Sequence, residues 1–173
     1  MQKSFSAKRL CRAGVIAALY VALTYAFGNL SHNGFLQIRP AEALCILPIF
    51  FVEAIPALFI GCAISNLTSP YLFYDVIIGS LITLVAACAT RYVGGRFKNA
   101  YAKLFVGGAF PVLLNAFLIP VIIVFFIGDT AANAVVPAYF SLVLSMLVTQ
   151  SVWVYGLGSS LYFFLRKTKK LFD

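Results

Sequence analysis

The stretch LQIRPAEALCILP, residues 36–48, places Arg39 and Glu42 three residues apart at the start of an apolar run. Charged residues are scarce in this chain: they make up 10% of its 173 residues, whereas hydrophobic residues make up 62%. A soluble domain carries about 25% charged residues, so this chain lacks the side chains that would cover a water-facing surface. We therefore predict an integral membrane protein, with residues 1–173 forming a single domain in the lipid bilayer.

Apolar runs define the predicted helices, because a helix needs about 20 mostly apolar residues to cross a bilayer. The second and third runs of this chain are short, and Pro48 interrupts the second. The predicted fold class is an all-α integral membrane bundle of six transmembrane helices. The six runs cover approximately residues 9–29, 40–51, 54–67, 75–92, 103–127 and 137–165.

The distribution of basic residues predicts the orientation of the bundle. Every Lys and Arg except Arg39 falls in one of three clusters, at residues 3–12, 91–103 and 166–170. Basic residues favour the cytoplasmic side of a membrane, so both termini are predicted to be cytoplasmic, with residues 1–8 as an N-terminal segment and 166–173 as a basic tail. Because the net charge of +8 comes from clusters that flank apolar runs, we expect no nucleic-acid partner.

Glu42 has two interpretations on the predicted outer side, where Asp75 and Asp129 also fall. Pro40 suits the first turn of a helix, and Glu42 then lies where the helix dipole favours a negative charge, with Arg39 as a possible ion-pair partner. Alternatively, Glu42 belongs to a binding site, since ionisable residues within membrane segments are functional by default. The sequence leaves both interpretations open.

Further polar side chains within the runs are candidates for a binding site. Carboxylates accept N–H groups, and amides both donate and accept, which suits a flat, donor-rich heterocycle. For the amides in mid-membrane, the competing interpretation is an interhelical hydrogen bond, worth about 0.6 kcal/mol. Trp153 is too deep for an interfacial belt and either stacks on a bound ring or packs. The candidate substrate-binding residues are Arg39, Glu42, Asn66, Asp75, Asn115, Gln150 and Trp153.

Small residues recur four positions apart in the first run, and residues at that spacing share one face of a helix. Such a face lets two membrane helices approach closely. The face either packs inside the bundle or docks an external membrane partner, and the pattern does not choose between them. The candidate docking residues are Ala13, Ala17, Ala18 and Ala22.

The sequence lacks the common motifs of catalysis. His32 is the only histidine, and neither HExxH nor GxxxxGK[ST] occurs, which argues against a zinc hydrolase and against ATP binding by a P-loop. The four cysteines form no CxxC pair, so we expect free thiols and neither a disulfide nor a metal site. We therefore expect no enzyme activity, no cofactor and no metal.

Three stretches resemble one known family: RPAEALCILPIFF at residues 39–51, AIPALFIGCAISNL at 54–67 and DVIIGSLITLVAA at 75–87. They are similar to the queuosine precursor transporter (QueT) family, whose members are substrate-binding S components of energy-coupling factor (ECF) transporters. The likeness covers roughly residues 13–87, and the number of spans and the small-residue first helix agree with it.

The resemblance implies capture of a 7-deazaguanine, such as queuine or a pre-queuosine compound, from outside the plasma membrane of a prokaryote. Glu42 would then bind the guanine-like edge of the solute, Arg39 would orient Glu42, and Asp75 would meet an amine group of the solute. The first helix would dock on an ECF transmembrane subunit that two ATPase subunits drive. Two alternatives remain: a stand-alone secondary carrier for a nucleobase-like solute, and a structural membrane protein without a solute.

Overall fold

The computed structural model describes residues 7–32, 37–70, 72–127 and 134–168, and these residues form six helices and no strand. Asp129 and the two ends of the chain lie outside the described residues. Helix 1 is Ala7–Phe27, helix 2 is the 3-10 helix Pro40–Ile49, helix 3 is Ala54–Thr68, helix 4 is Leu72–Gly94, helix 5 is Ala100–Val121 with a π-helical extension Ile122–Ile127, and helix 6 is Val135–Thr168.

Four of these helices, 1, 4, 5 and 6, are long and apolar enough to cross a membrane. Helices 2 and 3 are shorter, in agreement with the two short runs of the sequence. A ten-residue 3-10 helix rises about 20 Å, less than the roughly 30 Å hydrocarbon core of a bilayer. The predicted all-α membrane bundle is confirmed, with a short pair of helices among four long ones.

Helix 5 begins at Ala100, three residues before the predicted start at Lys103. The Asn99 side chain caps this helix by accepting a hydrogen bond from the backbone N–H of Tyr101 at 3.0 Å. Asn is a preferred N-cap residue because its short side chain satisfies a backbone donor that the helix leaves unpaired. A boundary drawn from hydropathy alone missed this cap.

Helix 2 is the centre of the bundle, because it contacts all five other helices. Every residue from Pro40 to Pro48 is buried. Its near-continuous apolar sequence follows from that position, since a helix that is surrounded on all sides has no polar face. The single acidic residue of this helix, Glu42, is therefore carried into the interior of the bundle.

Two arginines hold the segment in which helix 2 ends. They are Arg12 and Arg91, and we call the end of the bundle where they lie the basic end. Arg12 of helix 1 pairs with Glu53 at 2.7 Å and lies over the ring of Phe51. Arg91 of helix 4 donates to the carbonyl oxygens of Pro48 and Ile49 at 3.2 and 2.9 Å. Carbonyls at a helix end have no partner within the helix, so Arg91 satisfies them.

Helix 1 packs closely on helix 3 through a glycine. A Cβ atom at Gly61 would lie 2.9 Å from the Tyr20 Cβ and 3.1 Å from the Ala17 carbonyl oxygen. Ala13 and Ala17 are partly buried against the same core, whereas Ala18 and Ala22 are exposed. The four predicted docking residues therefore divide into an internal packing pair and an exposed pair.

Pro111 leaves a carbonyl in helix 5 without its usual donor, because proline has no N–H to give to the residue four positions earlier. That residue is Gly107, and the hydroxyl of the fully buried Thr90 donates to its carbonyl oxygen at 2.8 Å. Thr90 thus joins helix 4 to helix 5 at the position where helix 5 lacks an internal hydrogen bond.

Replacing Thr90 with Val should lower the free energy of unfolding by about 0.5–2 kcal/mol, because the shape is kept and the Gly107 carbonyl loses its partner. Reversible unfolding in bicelles or mild detergent measures the effect. Ser159→Ala is the control, since the Ser159 hydroxyl bonds only within its own helix, to Gly156. Equal effects of the two substitutions would contradict this role of Thr90.

Candidate binding site in the bundle interior

Glu42 is 1% exposed and accepts hydrogen bonds from three side chains. The Tyr20 hydroxyl of helix 1 donates to Oε1 at 2.9 Å. The Cys45 thiol, one turn along helix 2, and the Asn115 amide of helix 5 both donate to Oε2, at 3.2 and 3.3 Å. A buried carboxylate is tolerated only when such donors replace water, so these contacts join helices 1, 2 and 5 around one acidic group.

The contacts distinguish between the two interpretations of Glu42. Its carboxylate does not cap helix 2 but reaches side chains of two other helices. Glu42 also lies deeper than predicted, at the level of Asn115 in the middle of helix 5, because helix 2 begins inside the bundle. The structure therefore brings together Glu42 and Asn115, two predicted site residues that are 73 positions apart.

Arg39 and Glu42 form no ion pair with each other among the described residues. The buried Arg39 guanidinium donates through Nε to the Ser31 carbonyl at 2.7 Å and through Nη2 to the His32 Nδ1 at 3.2 Å. Because arginine only donates, His32 accepts at Nδ1 and carries its proton on Nε2, which lies 3.5 Å from the Thr68 hydroxyl. Arg39 thus ties the connection between helices 1 and 2 to the end of helix 3.

Asn66 and Asp75 also lie together, at the end of the bundle opposite the basic end. The buried Asn66 amide donates to the backbone carbonyl of Asp75 at 2.8 Å, and the Asp75 carboxylate accepts from the Ser69 hydroxyl. Gly79 leaves room for this contact, since a Cβ there would lie 3.2 Å from the Asn66 Nδ2. These two candidate residues, which the sequence did not pair, therefore form a local unit between helices 3 and 4.

Gln150 and Trp153 lie on helix 6, and in the part of the chain that the structure describes neither side chain is hydrogen-bonded to Glu42. Gln150 is 2% exposed, and its Oε1 has no hydrogen-bond partner. An unpaired buried acceptor costs about 1–3 kcal/mol. Trp153 is half-buried and packs against Phe27 of helix 1, with ring centroids 6.3 Å apart.

A separate hollow of about 290 Å³ lies at the basic end, lined by Arg9, Val52, Glu53, Ile55 and Pro56. Its acidic group, Glu53, is already paired with Arg12. The hollow is therefore distinct from the Glu42 network and offers a solute no free carboxylate.

Comparison with known proteins identifies the family. The model of the family described as QueT transporter matches residues 10–167, nearly the whole chain. The chain belongs to the QueT transporter family. A curated relative, the queuosine precursor transporter QueT of Lactococcus lactis subsp. cremoris (strain MG1363), is 40% identical over 88 residues. The match covers 50% of this chain and 52% of that relative. No solved structure matches the chain.

Family membership confirms the resemblance seen in the sequence, and both the family and the relative are described as transporters. Tyr20 and Cys45, two of the three partners of Glu42 in this QueT family member, were not among the residues predicted from the sequence. A signal for Tyr20 was present, since Ile16, Tyr20 and Thr24 recur every four residues and form the buried stripe of helix 1.

His32 lies in the connection between helices 1 and 2, outside the membrane-spanning segments. Burial and the neighbouring Arg39 guanidinium lower the pKa of His32 from its usual 6.5 to about 4. The neutral ring fits its contacts, because a proton on Nδ1 would face the guanidinium. Between pH 6.5 and 4 the unfolded chain therefore binds a proton here that the folded chain does not, and this lowers stability as the pH falls.

His32→Gln should reduce this loss of stability in acid, because glutamine accepts from Arg39 and donates to Thr68 without taking up a proton. Melting temperatures of both proteins, measured from pH 7.5 to 4, test the expectation. The two proteins should differ little at pH 7.5, and the original chain should lose more stability below pH 6. Parallel pH profiles would show that His32 is not the group responsible.

Proposed function

We propose that this chain is the substrate-binding S component of an ECF importer and captures a queuosine precursor, a 7-deazaguanine such as queuine or a pre-queuosine compound. The observation that carries the proposal is the Glu42 carboxylate, buried in the interior and surrounded by protein donors from helices 1, 2 and 5. Support for the solute class comes from the relative, which is named a queuosine precursor transporter.

Glu42 suits the guanine-like edge of such a solute. An ionised carboxylate offers about four acceptor positions, and three donors are bound here. A ring N–H can take the remaining position or replace the Asn115 amide, whose 3.3 Å contact is longer than the 2.7–2.9 Å typical of charge-assisted hydrogen bonds. Tyr20 and Cys45 would then keep the carboxylate in place while the solute binds.

We also assign roles to proposed site residues outside the Glu42 network. Two of them, Asn66 and Asp75, lie together toward the end of the bundle opposite the basic end. Asp75 would meet an amine group on the solute, and Asn66, which donates to the backbone carbonyl of Asp75, would hold that residue in position. Arg39 acts indirectly, by holding the connection between helices 1 and 2 through Ser31 and His32. Trp153 packs at the edge of the site against Phe27.

Energy for uptake would come from a separate module, a transmembrane subunit and two ATPases, in the plasma membrane of a prokaryote. The clusters of basic residues favour cytoplasmic ends for the chain. The exposed small residues of helix 1, Gly14, Ala18 and Ala22, form the docking face that we propose for the transmembrane subunit. Ala13 and Ala17 pack against the core of this chain and support that face from inside.

A stand-alone secondary carrier is the second candidate, because a buried carboxylate such as Glu42 also suits proton coupling. Uptake of a 7-deazaguanine by cells that contain this chain and lack every ECF ATPase would establish the carrier. Uptake that requires the ATPases would establish the S component.

Glu42→Gln should weaken binding of a 7-deazaguanine at least tenfold, about 1.4 kcal/mol. The reason is that an amide has one acceptor oxygen, whereas a carboxylate has two. Isothermal titration with the purified chain measures the Kd. Glu53→Gln makes the same chemical change at the basic end and should leave the Kd unchanged. A loss smaller than tenfold for Glu42→Gln would remove Glu42 from the proposed site.

Ala18→Trp should leave the Kd unchanged and abolish uptake, because a bulky side chain on the proposed docking face blocks close approach of the transmembrane subunit. Uptake of labelled solute by cells that contain the complete importer, together with co-purification of the subunits, measures docking. Val85→Trp enlarges an exposed position on helix 4 and is the matched control. Normal uptake with Ala18→Trp would place the docking face elsewhere.

A further inference from the structure

Gln150 Oε1 is the one buried side-chain oxygen or nitrogen without a hydrogen bond in the part of the chain that the structure describes. Other buried polar side chains of the interior, including Glu42, Asn66 and Thr90, have partners. Glutamine is expensive to bury without a partner, and polar residues inside the membrane usually have a function. An apolar residue of similar length would fill the same space without this cost.

Packing between helices 5 and 6 gives the level of Gln150 relative to Asn115, which belongs to the Glu42 network. Met146, one turn before Gln150, belongs to the same apolar cluster as Ala116. Val154, one turn after it, lies against Gly108. The two helices run antiparallel, so Gln150 lies at the level between residues 108 and 116 of helix 5. Asn115, which donates to Glu42, is in this stretch, within about one to two helical turns of Gln150 along the axis.

The backbone supports a functional position for this residue. A π-helical stretch, Val152–Leu157, begins two residues after Gln150. Such stretches are rare and occur frequently at functional sites, where the extra residue in the turn redirects the side chains around it. The half-buried Trp153 lies within this stretch, and Gln150 lies in the last turn of the regular α-helix before it.

The balance of donors and acceptors defines the missing partner. Glu42 contributes only acceptors, and the unpaired atom of Gln150 is also an acceptor. A single group that completes both must bring at least two hydrogen-bond donors. A ring N–H beside an exocyclic amino group has this pattern, whereas a ring with only one N–H on that edge does not.

We infer that the Gln150 carbonyl oxygen accepts a hydrogen bond from the exocyclic amino group of the solute whose ring N–H binds Glu42. Gln150 is then the residue that selects 2-amino rings over their analogues without the amino group. The inference rests on the proposed function, since it concerns the same solute. It also explains why an unpaired amide is kept in an apolar interior.

Two ligands that differ by one amino group provide the test: 7-deazaguanine and 7-deazahypoxanthine, titrated into the purified chain in detergent. Gln150→Met should raise the Kd for 7-deazaguanine at least fivefold and change the Kd for 7-deazahypoxanthine less than twofold. Gln150→Leu is a second variant with a different shape. Thr149→Val is the control, because the Thr149 hydroxyl bonds within its own helix, and it should alter neither Kd.

The melting temperature without added ligand gives an independent result. Gln150→Met should keep or raise it by a few degrees, since an unpaired acceptor is replaced by an apolar group. A lower melting temperature, or an equal loss of affinity for both ligands, would mean that Gln150 is structural and would overturn the inference. Unchanged affinity for 7-deazaguanine would overturn it too, with the proposed function intact. Failure of the unaltered chain to bind 7-deazaguanine would reject the proposed function itself, and the inference with it.

Discussion

One acidic group inside an apolar bundle constrains the arrangement of this protein. The Glu42 carboxylate has almost no access to solvent, so protein donors must replace the water it leaves. Tyr20 and Asn115 supply them from helices that are distant in sequence, and Cys45 supplies a third from the next turn. Helices 1 and 5 therefore pack on helix 2 through hydrogen bonds to this one side chain as well as through apolar contacts.

Backbone groups show the same constraint, because a membrane interior offers no water to an unpaired carbonyl. Helix 5 has a proline that removes a hydrogen bond, and Thr90 of helix 4 replaces the missing donor. Helix 2 ends within the basic end of the bundle, and Arg91 satisfies its last carbonyls. Gln150 departs from this pattern of complete pairing, and that departure makes it the residue we connect to the solute.

Family membership and geometry support one another at different levels. The family match extends over almost the whole chain, whereas the curated relative aligns over about half of each protein. The match identifies the family, and the buried network is the basis on which we propose the atoms that recognise a solute. The buried stripe of helix 1 reaches Glu42 through Tyr20, while its exposed small residues form the face that we propose for docking.

The sequence by itself determined the class of protein and the number and approximate limits of its helices, because apolar length and scarcity of charge follow directly from the amino acids present. It also identified Glu42, Asn66, Asp75, Asn115 and Gln150 as polar groups within apolar runs. Only the tertiary structure decided which of them meet: Glu42 bonds to Asn115 and Tyr20, and Arg39 turns to His32. The paths of the loops and the rotation of each helix decide which residues meet, and hydropathy does not encode either. Their pairing depends on the direction of each side chain, which is set only when the helices pack together.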